Sequence, residues 1–367
     1  MKKIICILLC FFVFSNTITA SAYNISARSA AVIDGYTGEV LYSLNCNKRM
    51  PMASTTKIMT ALLLCEMVDD LSKTIVTTRD MVTVEGSSMG LQAGDTVSFK
   101  DLLYGMLLSS GNDAANTTAI AIAGSVSKFA DLMNERADAL GLKDTHFVTP
   151  SGLDADEHYT TAYELALITK EALSNQDFAK AAASKSARLY YGNPPYYRTL
   201  KNHNKLLKMY DDIVGVKTGF TKKSGRCLVS ASNKDGKCVI AVTLNDGNDW
   251  QDHRNLLDLG LSLVKTQRFL PLRDKLTLDS ADGAKILTDV PSTALNIAQK
   301  AKVTYQINLP QFLYPPIKKG DSVGTINYCC NGSIIRQLPI KAKQNAKLKH
   351  NNVYIFFQIF ISMLSKI

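Results

Sequence analysis

Residues 51–65 read PMASTTKIMTALLLC, and this stretch decides both the core of the fold and its chemistry. The three hydroxyl residues at 54–56 are typical of a helix start, and the run that follows them is almost wholly apolar. We therefore expect a helix over residues 54–68 that is buried on most of its sides. Ser54 and Lys57 stand three positions apart, which makes them neighbours on the helix surface. The sequence thus predicts a hydroxyl and an amine in hydrogen-bond contact at a buried helix start.

This pair provides the minimum for a serine nucleophile with a lysine base. A serine alkoxide is too costly at neutral pH without a base in contact, and a lysine serves as that base only when its pKa is lowered. Burial in the apolar helix and the partial positive charge of the helix start are both expected to lower the pKa of Lys57. The S-x-x-K pattern is common, however, and most instances combine a helix cap with a solvated amine. Its functional interpretation needs support from elsewhere in the chain.

The remaining pattern predicts an α+β domain over residues 23–270. Two short strands joined by a turn begin at Ala30, and further strands come only after Asp212. The predicted helices cover residues 99–109, 112–124, 126–140, 161–174 and 249–266, and the later strands cover residues 213–219, 226–232 and 237–244. Strands at both ends with helices between them indicate one α+β domain whose sheet is assembled from remote segments.

Beyond Pro271 the chain changes to short strands separated by turn residues. Strands are predicted at residues 275–278, 284–287, 302–308 and 322–328. We therefore expect a small all-β domain over residues 271–341.

Both ends of the chain have the character of segments outside these domains. Lys2 and Lys3 precede an apolar run from Ile4 to Phe14, and the segment closes with Ala20-Ser21-Ala22, which is typical of a signal peptide over residues 1–22 and so of an exported protein. The run is too short for a spanning helix, which needs about 20 residues. Residues 342–367 combine a basic stretch with an amphipathic helix suited to a membrane surface that carries anionic lipid. The alternative is a tail that packs on the body of the protein or on another subunit.

Net charge and histidine spacing disfavour several classes of protein. The formal net charge is +10, but two positive charges lie in the signal and four in the tail, and the remaining charge of about +4 does not indicate nucleic acid. The five histidines form no metal-ligand spacing, which disfavours a zinc peptidase, and no metal or cofactor is expected. No G-x-S-x-G motif occurs, so a Ser-His-Asp hydrolase is not favoured either.

Cys227 and Cys238 flank a predicted hairpin turn at residues 233–236. If the first and last residues of that turn stand opposite each other, Cys238 faces Ala231, and no disulfide is expected between the two cysteines. We expect most of the cysteines to be small buried side chains.

Two further polar motifs accompany the Ser54 and Lys57 pair. Ser110-Gly111-Asn112 lies between two predicted helices, where polar side chains can project into a cleft. Lys217-Thr218-Gly219 ends a predicted strand, and its glycine lets a ligand approach the backbone closely. A cation and a hydroxyl on an edge strand suit recognition of an extended peptide with a free carboxylate. Each motif alone fits an ordinary loop or a solvated lysine, and only their combination is specific.

In this order the three motifs resemble those of the penicillin-recognising serine enzymes. Within that group the chain resembles the serine-type D-Ala-D-Ala carboxypeptidases, the low-molecular-mass penicillin-binding proteins, and residues 149–154 and 158–162 add to the similarity. Residues 316–324 resemble the small C-terminal β domain of that family, and the amphipathic tail resembles its usual membrane anchor. The resemblance covers nearly the whole mature chain.

The resemblance implies that the protein removes the terminal D-alanine from peptidoglycan stem peptides that end in D-Ala-D-Ala. Ser54 would be acylated by the penultimate D-alanine with Lys57 as general base, and water would then hydrolyse the ester. β-Lactam antibiotics would acylate the same serine as inhibitors. The other implied roles are a proton relay by Ser110, binding of the substrate amide by Asn112, carboxylate binding by Lys217 and Thr218, close ligand approach at Gly219, and an oxyanion hole made by the backbone N–H groups of Ser54 and Phe220.

Two alternatives stay open on the sequence. A serine β-lactamase shares the three motifs, but the glutamates between residues 141 and 170, Glu157 and Glu164, do not match the added glutamate of class A lactamases. A non-catalytic penicillin or peptidoglycan sensor is the other alternative, which the intact set of nucleophile, base, relay and edge lysine disfavours. Arg254, in the helix after the last strand of the first domain, is expected to be a helix-surface residue and not part of a carboxylate site.

Overall fold

The computed structural model describes residues 24–280 and 283–347. The predicted signal peptide and most of the predicted tail, residues 348–367, lie outside the described residues. The helices are α1 (Lys57–Met67), α2 (Arg79–Val82), α3 (Phe99–Leu108), α4 (Asn112–Ala123), α5 (Val126–Ala139), α6 (Ala162–Ser174), α7 (Gln176–Ala182), α8 (Leu206–Met209) and α9 (Asp249–Leu263). Among the described residues, no helix is long and apolar enough to cross a membrane.

The strands form one large sheet in the first part of the chain, a second large sheet near its C-terminal end, and two smaller sheets. They are β1 (Ser29–Asp34), β2 (Val40–Leu44), β3 (Thr74–Val76), β4 (Thr96–Ser98), β5 (Ser186–Gly192), β6 (Pro195–Lys201), β7 (Ile213–Thr221), β8 (Gly225–Lys234), β9 (Lys237–Leu244), β10 (Val264–Phe269), β11 (Lys275–Asp279), β12 (Lys285–Asp289), β13 (Thr293–Ala298), β14 (Val303–Asn308), β15 (Ser322–Cys330) and β16 (Ser333–Ala342). The sheet order β3-β4-β5-β6 was not foreseen from the sequence.

The main sheet has the order β2-β1-β9-β8-β7 and is antiparallel at every pairing. Strand β1 lies between β2 and β9 and is buried along its whole length, and its alternate residues face opposite sides of the sheet. Ala31 and Ile33 pack into the core shared with the helical cluster, while Ala30 and Val32 pack into the core beneath α9. A sheet assembled from remote segments and covered by helices on both faces confirms the predicted α+β class.

Helix α1 runs through the middle of the larger core. Its residues from Lys57 to Leu64 are all buried, and it contacts α3, α4 and α6. A 3-10 turn at Ala53–Thr56 precedes it, so the predicted helix over residues 54–68 begins with a tighter turn and ends at Met67. That turn packs against β7, the edge strand of the main sheet. The chain thereby brings the start of a buried helix to an open sheet edge.

The C-terminal sheet has the order β11-β12-β16-β15-β14 and its own hydrophobic cluster around Ile286, Ile326 and Tyr328. It confirms the predicted all-β character of this part of the chain. It is joined to the first part through β13, where the Ala298 N–H donates to the buried carboxylate of Asp34.

The predicted helix over residues 249–266 is wrong in its last turn. Helix α9 ends at Leu263, and Val264 begins strand β10, which pairs antiparallel with β13. The sequence after Leu263 shows no local sign that the helix ends, because the strand that pairs with these residues, β13, is remote in sequence. Pairing with a remote strand therefore overrides the local helical pattern here.

The predicted register of the β8–β9 hairpin is also wrong, although its consequence is confirmed. Asp235 and Gly236 both have positive φ, at 53° and 73°, and form the two-residue turn. Asn233 therefore stands opposite Cys238 rather than Gly236. Cys227 and Cys238 remain free cysteines, as expected.

Candidate active site

A cleft of about 540 Å³ opens where the start of α1 meets the edge strand β7. Ser54, Ser110, Thr218, Gly219 and Phe220 all line this cleft, so the structure brings together residues from three distant sequence motifs. The other lining residues are Ser87, His203, Arg226, Cys227, Asp249 and Trp250. Lys57 and Lys217 lie behind the lining and are almost completely buried, with exposures of 0% and 1%.

The Lys57 amine lies within hydrogen-bond distance of three oxygen atoms. Its Nζ is 3.0 Å from the Ser54 Oγ, 2.6 Å from the Asn112 Oδ1 and 2.6 Å from the backbone carbonyl oxygen of Ser151. The predicted contact between nucleophile and base is therefore present. Asn112 contacts this base directly, which sequence reasoning did not anticipate.

The orientation of the Asn112 amide follows from its other contact. Its Nδ2 donates to the backbone carbonyl of Glu85 at 2.6 Å, so Oδ1 must be the atom that faces Lys57. The Asn112 Oδ1 and the Ser151 carbonyl can only accept hydrogen bonds. A neutral Lys57 amine uses its two N–H groups on these acceptors, and its lone pair then points at the Ser54 hydroxyl. Such an arrangement would allow the amine to accept the proton of the serine hydroxyl.

Burial favours the neutral form of the Lys57 amine. Removal from water lowers the pKa of Lys57 well below its ordinary value, and the nearby charge of Lys217 lowers it further, while Asp113 acts in the opposite direction. Burial also lowers the pKa of Lys217, to about 7.

Gly219 brings β7 into close contact with the turn that carries the nucleophile. A Cβ atom at this position would lie 3.1 Å from the Met52 carbonyl oxygen and 3.1 Å from the backbone nitrogens of Ser54 and Thr55. Only a residue without a side chain allows this approach without a shift of the neighbouring backbone. The neighbouring Phe220 backbone is thereby held near Ser54, while its side chain is 66% exposed.

Ser110 enters the cleft from the junction of α3 and α4. Its φ of +61° is in the left-handed region, which is uncommon for serine and lets the chain reverse tightly between the two helices. The Gly111 N–H donates to the Gly105 carbonyl and the Asn112 N–H to the Ser87 carbonyl, which fixes the junction on both sides. Ser110 therefore lines the cleft, whereas Asn112 contacts the buried Lys57 amine behind it.

Arg226 is a cleft residue that sequence reasoning missed. It stands on β8 directly opposite Phe220, and its guanidinium makes a bidentate contact with Asp249 at the start of α9. The pairing of two predicted strands could have placed it beside the Lys217 motif. Arg254, as expected, is not among the residues that line the cleft, and its guanidinium pairs with Asp212 and Asp258.

The contribution of Ser151 could not be found from sequence, because it is made by a backbone carbonyl. The loop that carries it is pressed against the start of α1: a Cβ atom on Gly152 would lie 2.0 Å from the Ala53 oxygen. Within residues 24–280 and 283–347, no group of three or more His, Cys, Asp and Glu side chains is placed to hold a metal ion. The contact between the Ser54 hydroxyl and the buried Lys57 amine is suited to acyl transfer.

Comparisons with protein families and curated proteins agree with this geometry. Residues 16–248 match the D-alanyl-D-alanine carboxypeptidase family, and residues 285–348 match the C-terminal domain of penicillin-binding protein 5. The D-alanyl-D-alanine carboxypeptidase DacF of Bacillus subtilis is 32% identical over 343 residues, which cover 88% of this chain and 86% of that protein. The D-alanyl-D-alanine carboxypeptidase DacC of Escherichia coli is 32% identical and covers 91% of this chain and 88% of its own length.

Solved structures give the same result for the fold. The D-alanyl-D-alanine carboxypeptidase DacD from Francisella tularensis superposes with a TM-score of 0.63 at 25% identity, covering 89% of this chain and 94% of that structure. The Streptomyces K15 DD-transpeptidase superposes with a TM-score of 0.62 at 30% identity, covering 65% of this chain and 98% of that structure. The chain belongs to the D-alanyl-D-alanine carboxypeptidase family and is a serine hydrolase of that kind.

Proposed function

We propose that the protein removes the C-terminal D-alanine from peptidoglycan stem pentapeptides through an acyl-enzyme on Ser54. The Ser54 Oγ attacks the carbonyl carbon of the penultimate D-alanine, and the Lys57 Nζ accepts the hydroxyl proton. Ser110 passes a proton to the departing amine of the terminal D-alanine, and water then hydrolyses the ester. The same attack on a β-lactam ring opens it and leaves the serine acylated.

One observation carries this proposal above the others. The buried Lys57 amine has two neighbours that can only accept hydrogen bonds, and its third neighbour is the Ser54 hydroxyl. Among the described residues Lys57 forms no ion pair, which a merely structural buried lysine would need. Its surroundings instead favour the neutral base that an activated serine requires.

The substrate would lie along the open edge of β7. The N–H groups of Ser54 and Phe220 would stabilise the oxyanion that develops on the attacked carbonyl. The terminal carboxylate would then point toward the Thr218 hydroxyl, with Lys217 behind it.

Arg226 also lines the cleft and stands opposite Phe220 on the neighbouring strand. Because Asp249 occupies the Nε and one Nη of the Arg226 guanidinium, its other Nη is the group available to a substrate carboxylate. Asn112 is buried and does not line the cleft, so its proposed role is to hold the Lys57 amine, and not to bind the substrate amide as the resemblance implied.

The reaction can be tested by mass spectrometry of a pentapeptide ending in D-Ala-D-Ala. The wild-type protein should release one alanine, and a penicillin should add its mass to the peptide that contains Ser54. Ser54→Ala should abolish both results, and Ser110→Ala should slow acylation by about 100-fold because the proton relay is lost. The matched control is Ser109→Ala, since the adjacent Ser109 hydroxyl donates only to the Gly105 carbonyl and should not affect the rate. Penicillin labelling without alanine release would instead indicate a sensor.

The pKa values of the two lysines predict the pH dependence of kcat/KM. Acylation needs a neutral Lys57, so the rate should rise with pH through a pKa well below 10.5. Carboxylate binding needs a protonated Lys217, so the rate should fall again above about pH 7. In Lys217→Arg the charge persists at all accessible pH values, and the descending limb should move to higher pH. A profile that rises only near pH 10.5, or a limb that Lys217→Arg leaves in place, contradicts the assignment. Stoichiometric penicillin labelling verifies that the variant is folded.

The role of Arg226 predicts selectivity for the free carboxylate. A pentapeptide and its C-terminal amide should be compared at limiting concentration with the wild type and with an Arg226→Gln/Asp249→Asn double variant. The double variant avoids leaving a buried Asp249 carboxylate unpaired. Preference for the free acid should fall by about tenfold in the variant, which is typical for one charged hydrogen bond. An unchanged preference assigns carboxylate recognition to Thr218 and Lys217 alone.

We also propose that the protein acts outside the cytoplasmic membrane, on the wall side. The supporting features are the signal-like residues 1–22 and the basic amphipathic residues 342–367. The proposed domain boundaries are 23–270 for the catalytic domain and 271–341 for the β domain. The proposed division leaves β10 as a strand of the first domain that pairs with β13 of the second.

The tail proposal predicts a loss of membrane binding on truncation. Protein lacking residues 343–367 should no longer sediment with vesicles that contain anionic lipid, while its pentapeptide activity in solution stays unchanged. The full-length mature chain should bind anionic vesicles more tightly than neutral ones, because the tail is basic. Equal sedimentation of the truncated and full-length proteins would show that the tail is not the anchor.

A further inference from the structure

A chain of three hydrogen bonds connects a buried histidine to the peptide bond that precedes the nucleophile. The Val148 N–H donates to the His158 Nδ1 at 2.9 Å, and the His158 Nε2 lies 2.9 Å from the Thr56 Oγ1. The Thr56 hydroxyl in turn donates to the Ala53 carbonyl oxygen at 2.8 Å. These side chains are buried, with 6% exposure for His158 and 0% for Thr56.

The direction of every bond in this chain is determined. A backbone N–H can only donate, so the His158 Nδ1 must be the acceptor and the ring proton must be on Nε2. The Nε2–H therefore donates to Thr56, which leaves the Thr56 hydroxyl proton for the Ala53 carbonyl. Burial lowers the pKa of His158 to about 4, with smaller contributions from His146 and Lys223. The ring thus stays neutral and keeps this tautomer at neutral pH.

The last acceptor in the chain belongs to the same peptide unit as the Ser54 N–H. In a trans peptide the carbonyl and the N–H point in opposite directions within one plane. A bond that holds the Ala53 oxygen therefore also sets the direction of the Ser54 N–H, which is the proposed oxyanion donor. The Ser54 nitrogen faces β7, since a Cβ on Gly219 would lie 3.1 Å from it.

Ala53 needs such a hold because its backbone is strained. Its φ is +49°, in the left-handed region that costs a residue with a side chain about 1 kcal/mol or more. The backbone of Gly152 packs against the Ala53 carbonyl, and the Thr56 hydroxyl adds a directional hold on the same oxygen. Hydrogen bonding to its carbonyl also polarises the peptide and makes its N–H a better donor.

We propose that His158 and Thr56 are positioning residues that hold the Ala53–Ser54 peptide so that the Ser54 N–H points into the oxyanion hole. The inference rests on the proposed acylation of Ser54. Neither side chain touches the substrate, so their effect is exerted on the transition state through the orientation of one N–H. The rate of acylation per folded molecule should depend on the Thr56 hydroxyl, while ground-state binding should not.

The central test compares Thr56→Val, which removes the hydroxyl at nearly constant volume, with Thr56→Ser, which keeps it. The acylation rate constant and the apparent dissociation constant are measured separately with a fluorescent penicillin, and the labelling stoichiometry reports the folded fraction. Thr56→Val should lower the rate constant about 10- to 100-fold, somewhat less than removal of an oxyanion donor, with the dissociation constant nearly unchanged. Thr56→Ser should stay within about threefold of the wild type, because it preserves the hydrogen bond.

Histidine variants test the rest of the chain. The amide of an asparagine at position 158 can replace the His158 Nδ1, which accepts from Val148, but it is too short to reach Thr56. The amide of a glutamine can replace the His158 Nε2, which contacts Thr56. His158→Asn should therefore resemble Thr56→Val, and His158→Gln should be milder. The Thr56→Val/His158→Asn double variant should be no slower than Thr56→Val alone, because both changes break one chain. The matched control is His146→Asn, since the neighbouring His146 ring contacts only the Glu157 carbonyl among the described hydrogen bonds and should acylate at the wild-type rate.

Three results would overturn the inference: a wild-type rate constant in Thr56→Val, an equal loss in Thr56→Ser, or additive losses in the double variant. A lower labelling stoichiometry with an unchanged rate constant indicates a role in folding only and also overturns it. If Thr56→Val does not fold, the contrast between His158→Gln and His158→Asn decides the question. Failure of the wild type to be labelled at Ser54 would instead refute the proposed function itself.

Discussion

A lysine amine removed from water is the constraint on which the site depends. Lys57 has no solvent exposure, and the cost of burying its charge is what lowers its pKa. Burial requires that α1 run through the core with an apolar body, and the sequence after Lys57 supplies that body. Reactivity requires that the helix start still reach a cleft. The edge strand β7 meets this second requirement, because it leaves the Ser54 side of the turn open while the rest of α1 is covered.

Most of the site could be predicted because it is carried by side-chain types at characteristic positions. Ser54, Lys57, Ser110, Thr218 and Gly219 have chemistry that can be recognised in the sequence, and the fold brings them to one place. The order of strands and helices likewise identified the α+β class, because hydrophobic period depends on local sequence. These features follow from residue identity, so they can be predicted without knowing which remote residues come into contact.

The parts that could not be predicted depend on backbone geometry or on remote pairing. The Ser151 carbonyl acts as an acceptor for Lys57 whatever its side chain, and the positive φ values of Ala53 and Ser110 occur at residues that do not favour them. Strand β10 exists because β13 is there to pair with it. The sequence showed His158 only as part of residues 158–162, which resemble the carboxypeptidase family. Its contacts could not be predicted, because its partners are a backbone N–H and a threonine that is remote in sequence.

The charge balance around Lys57 depends finally on how Asp113 is used. Its carboxylate would raise the pKa of Lys57, yet it accepts hydrogen bonds from the N–H groups of Met89, Gly90 and Leu91 and from the Ser88 hydroxyl. Burial of the amine remains the larger effect on the pKa of Lys57. The same contacts hold the loop whose Glu85 carbonyl orients the Asn112 amide. One buried carboxylate is thereby linked to the Lys57 amine, because it holds the loop that orients the Asn112 amide, and the Asn112 Oδ1 contacts that amine.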